Sequence, residues 1–153
     1  MADSSRFQPN ASLDVVGIGN AIVDVLVQTK DGFLSEHNLQ KGGMCLIDEQ
    51  QAEALYKFSG PGLETSGGSV ANTMVGIAQL GGRTGFIGRV RDDQLGLIFS
   101  HDIRAVGTRF ETPSATTGAT TARCLIYVTP DAERTMCTFL GASTQLEPED
   151  LDL

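Results

Sequence analysis

The chain has 153 residues, 41% of them hydrophobic and 20% charged, enough to bury one core and not two, so one domain is expected. A net charge of −8 without any Lys/Arg cluster argues against a nucleic-acid or anionic-membrane surface, either of which needs cations to replace counterions or meet lipid phosphates. Met1 to Ser12 is a polar tail with no apolar stretch of signal-peptide length, and nowhere do about 18 apolar residues run together, so a cytoplasmic protein is expected.

Strand-like and helix-like segments alternate along residues 13–153 as parallel α/β folds require. Leu13 to Gly19 is an apolar strand, and Val23 to Gln28 alternates apolar and polar residues like a strand covered on one face. Gly42 to Ile47 repeats that pattern. Asp48-Glu49-Gln50-Gln51 is a capping box that opens a helix to about Phe58, with Ala52, Leu55 and Tyr56 as its buried stripe. Ser59 to Ser66 reads as a loop. Ser69 is the expected N-cap of a helix whose Val70, Met74, Ile77 and Leu80 recur at helical spacing until Gly81-Gly82. Arg83 to Arg89 is the next strand. Leu95, Ile98, Phe99, Ile103 and Val106 mark a helix capped by Asp93, with Gly107 where a left-handed residue belongs. Thr112 to Thr121 is turn-like, Cys124 to Val128 is a wholly apolar strand, and Arg134 to Leu140 is another after the turn at Thr129-Pro130-Asp131-Ala132.

Cys45, Cys124 and Cys137 are odd in number and share no CxxC spacing, so they indicate neither a disulfide framework nor a zinc site and read as small buried hydrophobes. His37 and His101 have no Cys, Ser or acidic constellation at a diagnostic spacing and read as surface or boundary residues.

Gly67-Gly68-Ser69-Val70-Ala71-Asn72 carries the most information about chemistry. Two glycines allow backbone to approach a ligand closely, and the helix start that follows leaves N–H groups unpaired with a partial positive charge outward, which suits a small polyhydroxylated ligand. The alternative is that the glycines serve only the close packing of helix on sheet. Leu13-Asp14-Val15-Val16-Gly17-Ile18-Gly19-Asn20 with Asp24 four positions on, and Gly85-Phe86-Ile87-Gly88-Arg89-Val90-Arg91-Asp92-Asp93-Gln94-Leu95-Gly96, complete a recognisable set. Together these segments resemble the ribokinase/PfkB carbohydrate kinase superfamily, most nearly its bacterial adenosine kinase-like members, from about Leu13 to the C-terminus.

That resemblance implies a Rossmann-like three-layer α/β fold with a small β-sheet lid, and ATP-dependent phosphorylation of a nucleoside or sugar hydroxyl. The lid strands would be those at about 23–28 and 42–47, with further lid or edge strands over about 108–128. Their edges would cover the substrate or pair with a second subunit as a homodimer. Asp24 would clamp a ribose or sugar diol, since a carboxylate accepts two hydrogen bonds from vicinal hydroxyls. Asn20 and Asn72 would bond the same sugar, while Gly67, Gly68 and Ser69 would turn backbone amides toward it. Met44, Met136 and Thr138 fall near positions that line the base or sugar pocket, and Arg134 would stabilise charge developing on the transferred phosphate. Val70 stands where a smaller residue is common and Arg91 where glycine is usual.

Family members are roughly twice this length, and by the same resemblance their second half holds the GxGD-type motif with the general base, the anion hole and most of the nucleotide site. The chain contains no such motif and no GxxxxGK[ST] phosphate loop. ATP and Mg2+ are therefore expected for the complete enzyme and not as tight ligands of this chain alone, which is expected to be inactive in phosphoryl transfer. The alternative is a non-catalytic fragment that binds a nucleoside or sugar weakly or acts as an oligomerisation module. A dinucleotide-binding reading of Gly17-Ile18-Gly19 fails because Ile22 occupies the third glycine position and a strand, not a helix, follows.

Overall fold

Val23, Val25 and Val27 alternate with Asp24 and Leu26, and this period of two makes Ile22–Gln28 the strand around which the molecule is built: all three valines are buried on one face, while the other face stays half open. The computed structural model describes residues 13–151. Its elements are β1 (Val15–Ile18), β2 (Ile22–Gln28), α1 (Asp31–Glu36), β3 (Met44–Leu46), α2 (Glu49–Phe58), β4 (Leu63–Gly67), α3 (Ser69–Gln79), β5 (Thr84–Ile87), α4 (Gln94–Ala105), β6 (Ala122–Val128) and β7 (Arg134–Phe139). Two short 3-10 helices, Gly141–Gln145 and Pro148–Asp150, follow.

The strands form two sheets. β1 and β5 pair in parallel, and the other five lie in the order β3-β7-β6-β2-β4, with β3–β7 and β2–β6 parallel and the remaining two pairs antiparallel. One face of the five-stranded sheet is covered: α2 packs on β6 and β7, and α4 on β2 and β4. Burying this face supplies the main stabilisation, since each valine or leucine removed from water contributes about 1.5–3 kcal/mol. Beside it Phe86, Phe99 and Phe110 meet with ring centroids 5.4 to 5.9 Å apart and tie β5 to α4.

The opposite face carries Met44, Leu46, Leu63, Leu26, Ile126, Met136, Asp24, Thr65 and Thr138, and no helix covers it among the described residues. Met44, Leu46 and Leu63 are 62%, 64% and 67% exposed. On β1 the outward residues Val16 and Ile18 are also exposed, while Gly17 and Gly19 lie under α3.

Several elements form where the sequence places them, and for the expected reasons. The Asp48 carboxylate accepts from the Gln51 N–H at 2.8 Å, and the Gln51 side chain accepts from the Asp48 N–H at 3.0 Å, closing the box at the start of α2. Gly81 and Gly107 adopt φ of 92° and 89° just beyond α3 and α4. Others differ. Residues 59–66 are not all loop: Leu63–Gly67 is a strand, because pairing with β2 satisfies a backbone whose own side chains carry little strand preference. Asp31–Glu36 adds a short helix that has too few residues to declare a helical period. The N-cap of α3 is Gly68, with φ of 99°, and Ser69 is already helical; the left-handed turn needs the glycine, so the serine side chain makes no capping bond. Cys124 and Cys137 are buried as expected, but Cys45 is exposed because β3 is the edge strand.

Asp93 is the residue most heavily used in joining these layers. One carboxylate oxygen accepts from the Gly96 N–H at 2.8 Å, capping α4, and from the Thr121 hydroxyl at 2.7 Å; the other accepts from the Thr121 N–H at 2.9 Å. Thr121 is fully buried and its hydroxyl oxygen accepts from the Arg91 N–H at 2.9 Å. Removing the carboxylate leaves buried donors without an acceptor, so Asp93→Ala is expected to cost about 2–4 kcal/mol in urea unfolding. A loss below about 0.5 kcal/mol would show that this junction does not hold the layers together.

Candidate functional site

The end of β1, the start of β2, the end of β4 and the N-terminus of α3 meet at one place, and close backbone approach makes the meeting possible. A methyl on Gly17 would stand 2.6 Å from Val70 Cγ1, and one on Gly19 would stand 2.8 Å from Val70 Cβ, so Gly17 of β1 and Gly19 just beyond it make room for the valine of α3. This accounts for both the Gly17-Ile18-Gly19 pattern and the larger residue at position 70. A Cβ on Gly68 would lie 2.6 Å from the Asn20 carbonyl oxygen, and one on Gly67 would collide with the Asp24 carboxylate. Asn72 begins the helical ladder by donating its N–H to the Gly68 carbonyl at 2.8 Å. Asn20, Ser69 and Asn72 are exposed around this junction.

Asp24 points from the middle of β2 onto the open sheet face, in register with Thr65 of β4 and Cys124 of β6. Its carboxylate is half-buried and meets no donor among the described residues. Burial pushes its pKa above the usual carboxylate range. A half-buried acceptor with both oxygens unused, walled by a glycine, can receive two hydroxyl donors from one ligand.

The remaining sequence candidates spread along the same face. Thr138 is opposite Cys124, which is opposite Asp24, so Thr138 stands two strand spacings, about 10 Å, from Asp24. The Thr138 hydroxyl donates to Cys124 Sγ at 3.2 Å. Met136 and Met44 pair with each other across β7 and β3, two residues further along. Arg134 begins β7 opposite Val128, roughly 13 Å along the strand from the Asp24 row, and is exposed. The structure thus gathers Asn20, Asp24, Gly67, Gly68, Ser69 and Asn72, places Met44, Met136 and Thr138 at the margin of the same face, and leaves Arg134 apart. Thr65, Leu26 and Ile126 also border Asp24 on this face; the first lies in the Ser59 to Ser66 segment whose composition announces a loop, and the others announce only an apolar strand. His37 packs its ring on Phe33 with centroids 4.3 Å apart, and His101 is exposed beside Asp102, so neither histidine enters the site.

The raised pKa of Asp24 has a sign that can be tested. The folded protein binds the proton more tightly than the unfolded chain, so stability is lost as pH rises from the unfolded value through the folded one. Asp24→Asn cannot ionise and is expected to escape this loss: between about pH 4 and pH 7 its urea midpoint should gain on that of the unsubstituted protein. Parallel curves for the two proteins across that range would contradict the desolvated carboxylate.

Residues 62–153 match the profile of the pfkB family carbohydrate kinases. The crystal structure of adenosine kinase from Sinorhizobium meliloti is 51% identical with a TM-score of 0.83, covering 93% of this chain and 43% of that one. A probable sugar kinase protein from Rhizobium etli is 48% identical with a TM-score of 0.83, covering 92% of this chain and 43% of that one. A fructokinase from Klebsiella pneumoniae is 32% identical over 113 residues, 72% of this chain and 36% of the relative. The chain therefore spans well under half the length of each of these three relatives, and shares the α/β fold of the two solved ones.

Proposed function

This chain belongs to the pfkB family of carbohydrate kinases, and from that premise we propose that Asn20, Asp24, Gly67, Gly68, Ser69 and Asn72 hold the diol of a nucleoside or sugar that the complete kinase phosphorylates. The observation that carries the reading is the half-buried Asp24 carboxylate, free of protein donors and flanked by a glycine that keeps its approach clear. Two ligand hydroxyls would supply the donors it lacks, and the N-terminal amides of α3 would meet a third polar group of the ligand. A nucleoside such as adenosine is the first choice, supported by the 51% identity to an adenosine kinase, with a sugar next in view of the 48% identity to a probable sugar kinase.

In this reading strands β2, β3, β4, β6 and β7 form the lid, with Met44, Met136 and Thr138 lining the outer part of the pocket for the base. Arg134 stands away from the diol and is given no part in holding it. The family draws its phosphoryl group from ATP, typically with Mg2+. Neither is assigned to particular residues of this chain, whose sequence has no glycine-rich phosphate loop of the GxxxxGK[ST] type. The part assigned to this chain is to bind and orient the acceptor and keep water from it, and phosphoryl transfer is assigned to the complete kinase.

A second reading, an association module, draws on the exposure of Met44, Leu46 and Leu63 on one sheet face. Calorimetric titration with adenosine and with fructose separates the two. The proposal expects saturable binding of adenosine that weakens at least about 100-fold in Asp24→Ala and falls similarly in Gly67→Ala, whose methyl occupies the carboxylate's place. No binding of either ligand, together with a dimer in light scattering that Leu46→Lys dissociates, would favour the association module instead.

A further inference from the structure

Cys45 and Cys137 stand directly opposite each other in the parallel β3–β7 pair, with their sulfurs 3.6 Å apart. Cys137 is fully buried, whereas Cys45 is exposed on the edge strand. Cys124, the remaining cysteine, belongs to the other face of the sheet, where its sulfur is engaged by the Thr138 hydroxyl. Neighbouring strands run about 4.8 Å apart, within the Cα separation of about 4.4–6.8 Å that a disulfide spans. The sulfurs need to close by about 1.5 Å to reach bonding distance, which side-chain rotation supplies without moving either strand.

We propose that Cys45 and Cys137 are a dithiol–disulfide pair, oxidised by a hydroperoxide and reduced again by an external thiol, that fastens the edge strand β3 to β7. The first step takes place at Cys45, the sulfur that solvent reaches: its thiolate attacks the terminal peroxide oxygen, the O–O bond breaks, and an alcohol or water leaves as Cys45 becomes a sulfenic acid. Burial and the adjacent sulfur hold the Cys137 thiol protonated and pushed up to about 12, which keeps it out of this step. The Cys137 sulfur then attacks Cys45 Sγ, the S–O bond breaks, and the Cys137 proton leaves with the hydroxide as water. Two thiols have lost two electrons and two hydrogens to one hydroperoxide.

The bond has a structural consequence at the open face. β3 has three residues, is paired on one side only, and follows Gly42, whose φ is 72°. Met44 and Leu46 flank Cys45 and project from the opposite face, so fixing Cys45 also fixes the two side chains at the rim of the proposed substrate pocket. The disulfide itself does not depend on what that pocket binds.

Treating the full chain with hydrogen peroxide, alkylating free thiols, and mapping peptides by mass spectrometry without reduction tests the assignment. The expected product is a single intramolecular link between the Cys45 and Cys137 peptides, lighter by two hydrogens, lost on dithiothreitol treatment, with Cys124 still alkylatable after unfolding. The oxidised protein should melt about 5 °C or more above the reduced one, because the link closes a long loop. Cys45→Ser, a change at an exposed site, should lose both the link and the shift and leave Cys137 as a thiol. A Cys45 that ends as sulfinic acid, bonds to Cys124, or bonds to a second molecule would each overturn the proposal.

Discussion

Close approach of backbone at four glycines is the constraint on which the candidate site rests. Gly17 and Gly19 let Val70 descend onto β1, which brings the start of α3 against the strands; Gly68 turns the chain with φ of 99° beside the Asn20 carbonyl; and Gly67 leaves the space in which the Asp24 carboxylate lies. A side chain at any of these positions would push α3 away from β2 or displace the carboxylate. Helix and strand are thus held at a distance that places unpaired N–H groups and an unpaired carboxylate at the same junction.

The asymmetry of the five-stranded sheet follows from the alternation in β2 and β6. Val23, Val25 and Val27, with Leu125 and Tyr127, bury one face under the helices, and the opposite residues form a surface that mixes apolar side chains with Asp24, Thr65 and Thr138. Such a surface suits a ligand with an apolar base and a hydroxylated sugar better than either a dry core or a wholly polar exterior. Holding Asp24 there without a donor costs stability, and a cost of this kind is retained where the group has work to do.

Much of this was legible in the sequence because it depends on local chemistry. The capping box of Asp48 and Gln51, the cap at Asp93 and the left-handed glycines at 81 and 107 act over three or four residues, and each forms as the residue types require. The cluster of Asn20, Asp24, Gly67, Gly68 and Asn72 was also legible, but through family resemblance, since a lone Asp in an alternating strand reads equally well as a solvated residue. What escaped depends on partners distant in the chain. β4 exists because β2 lends it a ladder, and Cys45 is exposed because β3 falls at the edge. Ser69 was displaced as a cap by the backbone conformation that its neighbour alone can adopt without strain.

The most direct test of the account is the titration of the Asp24 side-chain carboxyl by carbon-13 NMR, with and without saturating adenosine. Free protein should show a pKa above the usual carboxylate range, and bound nucleoside should lower it, because diol hydrogen bonds favour the charged form. A value that adenosine leaves unchanged would contradict the assignment of Asp24 as the residue that receives the ligand's hydroxyls.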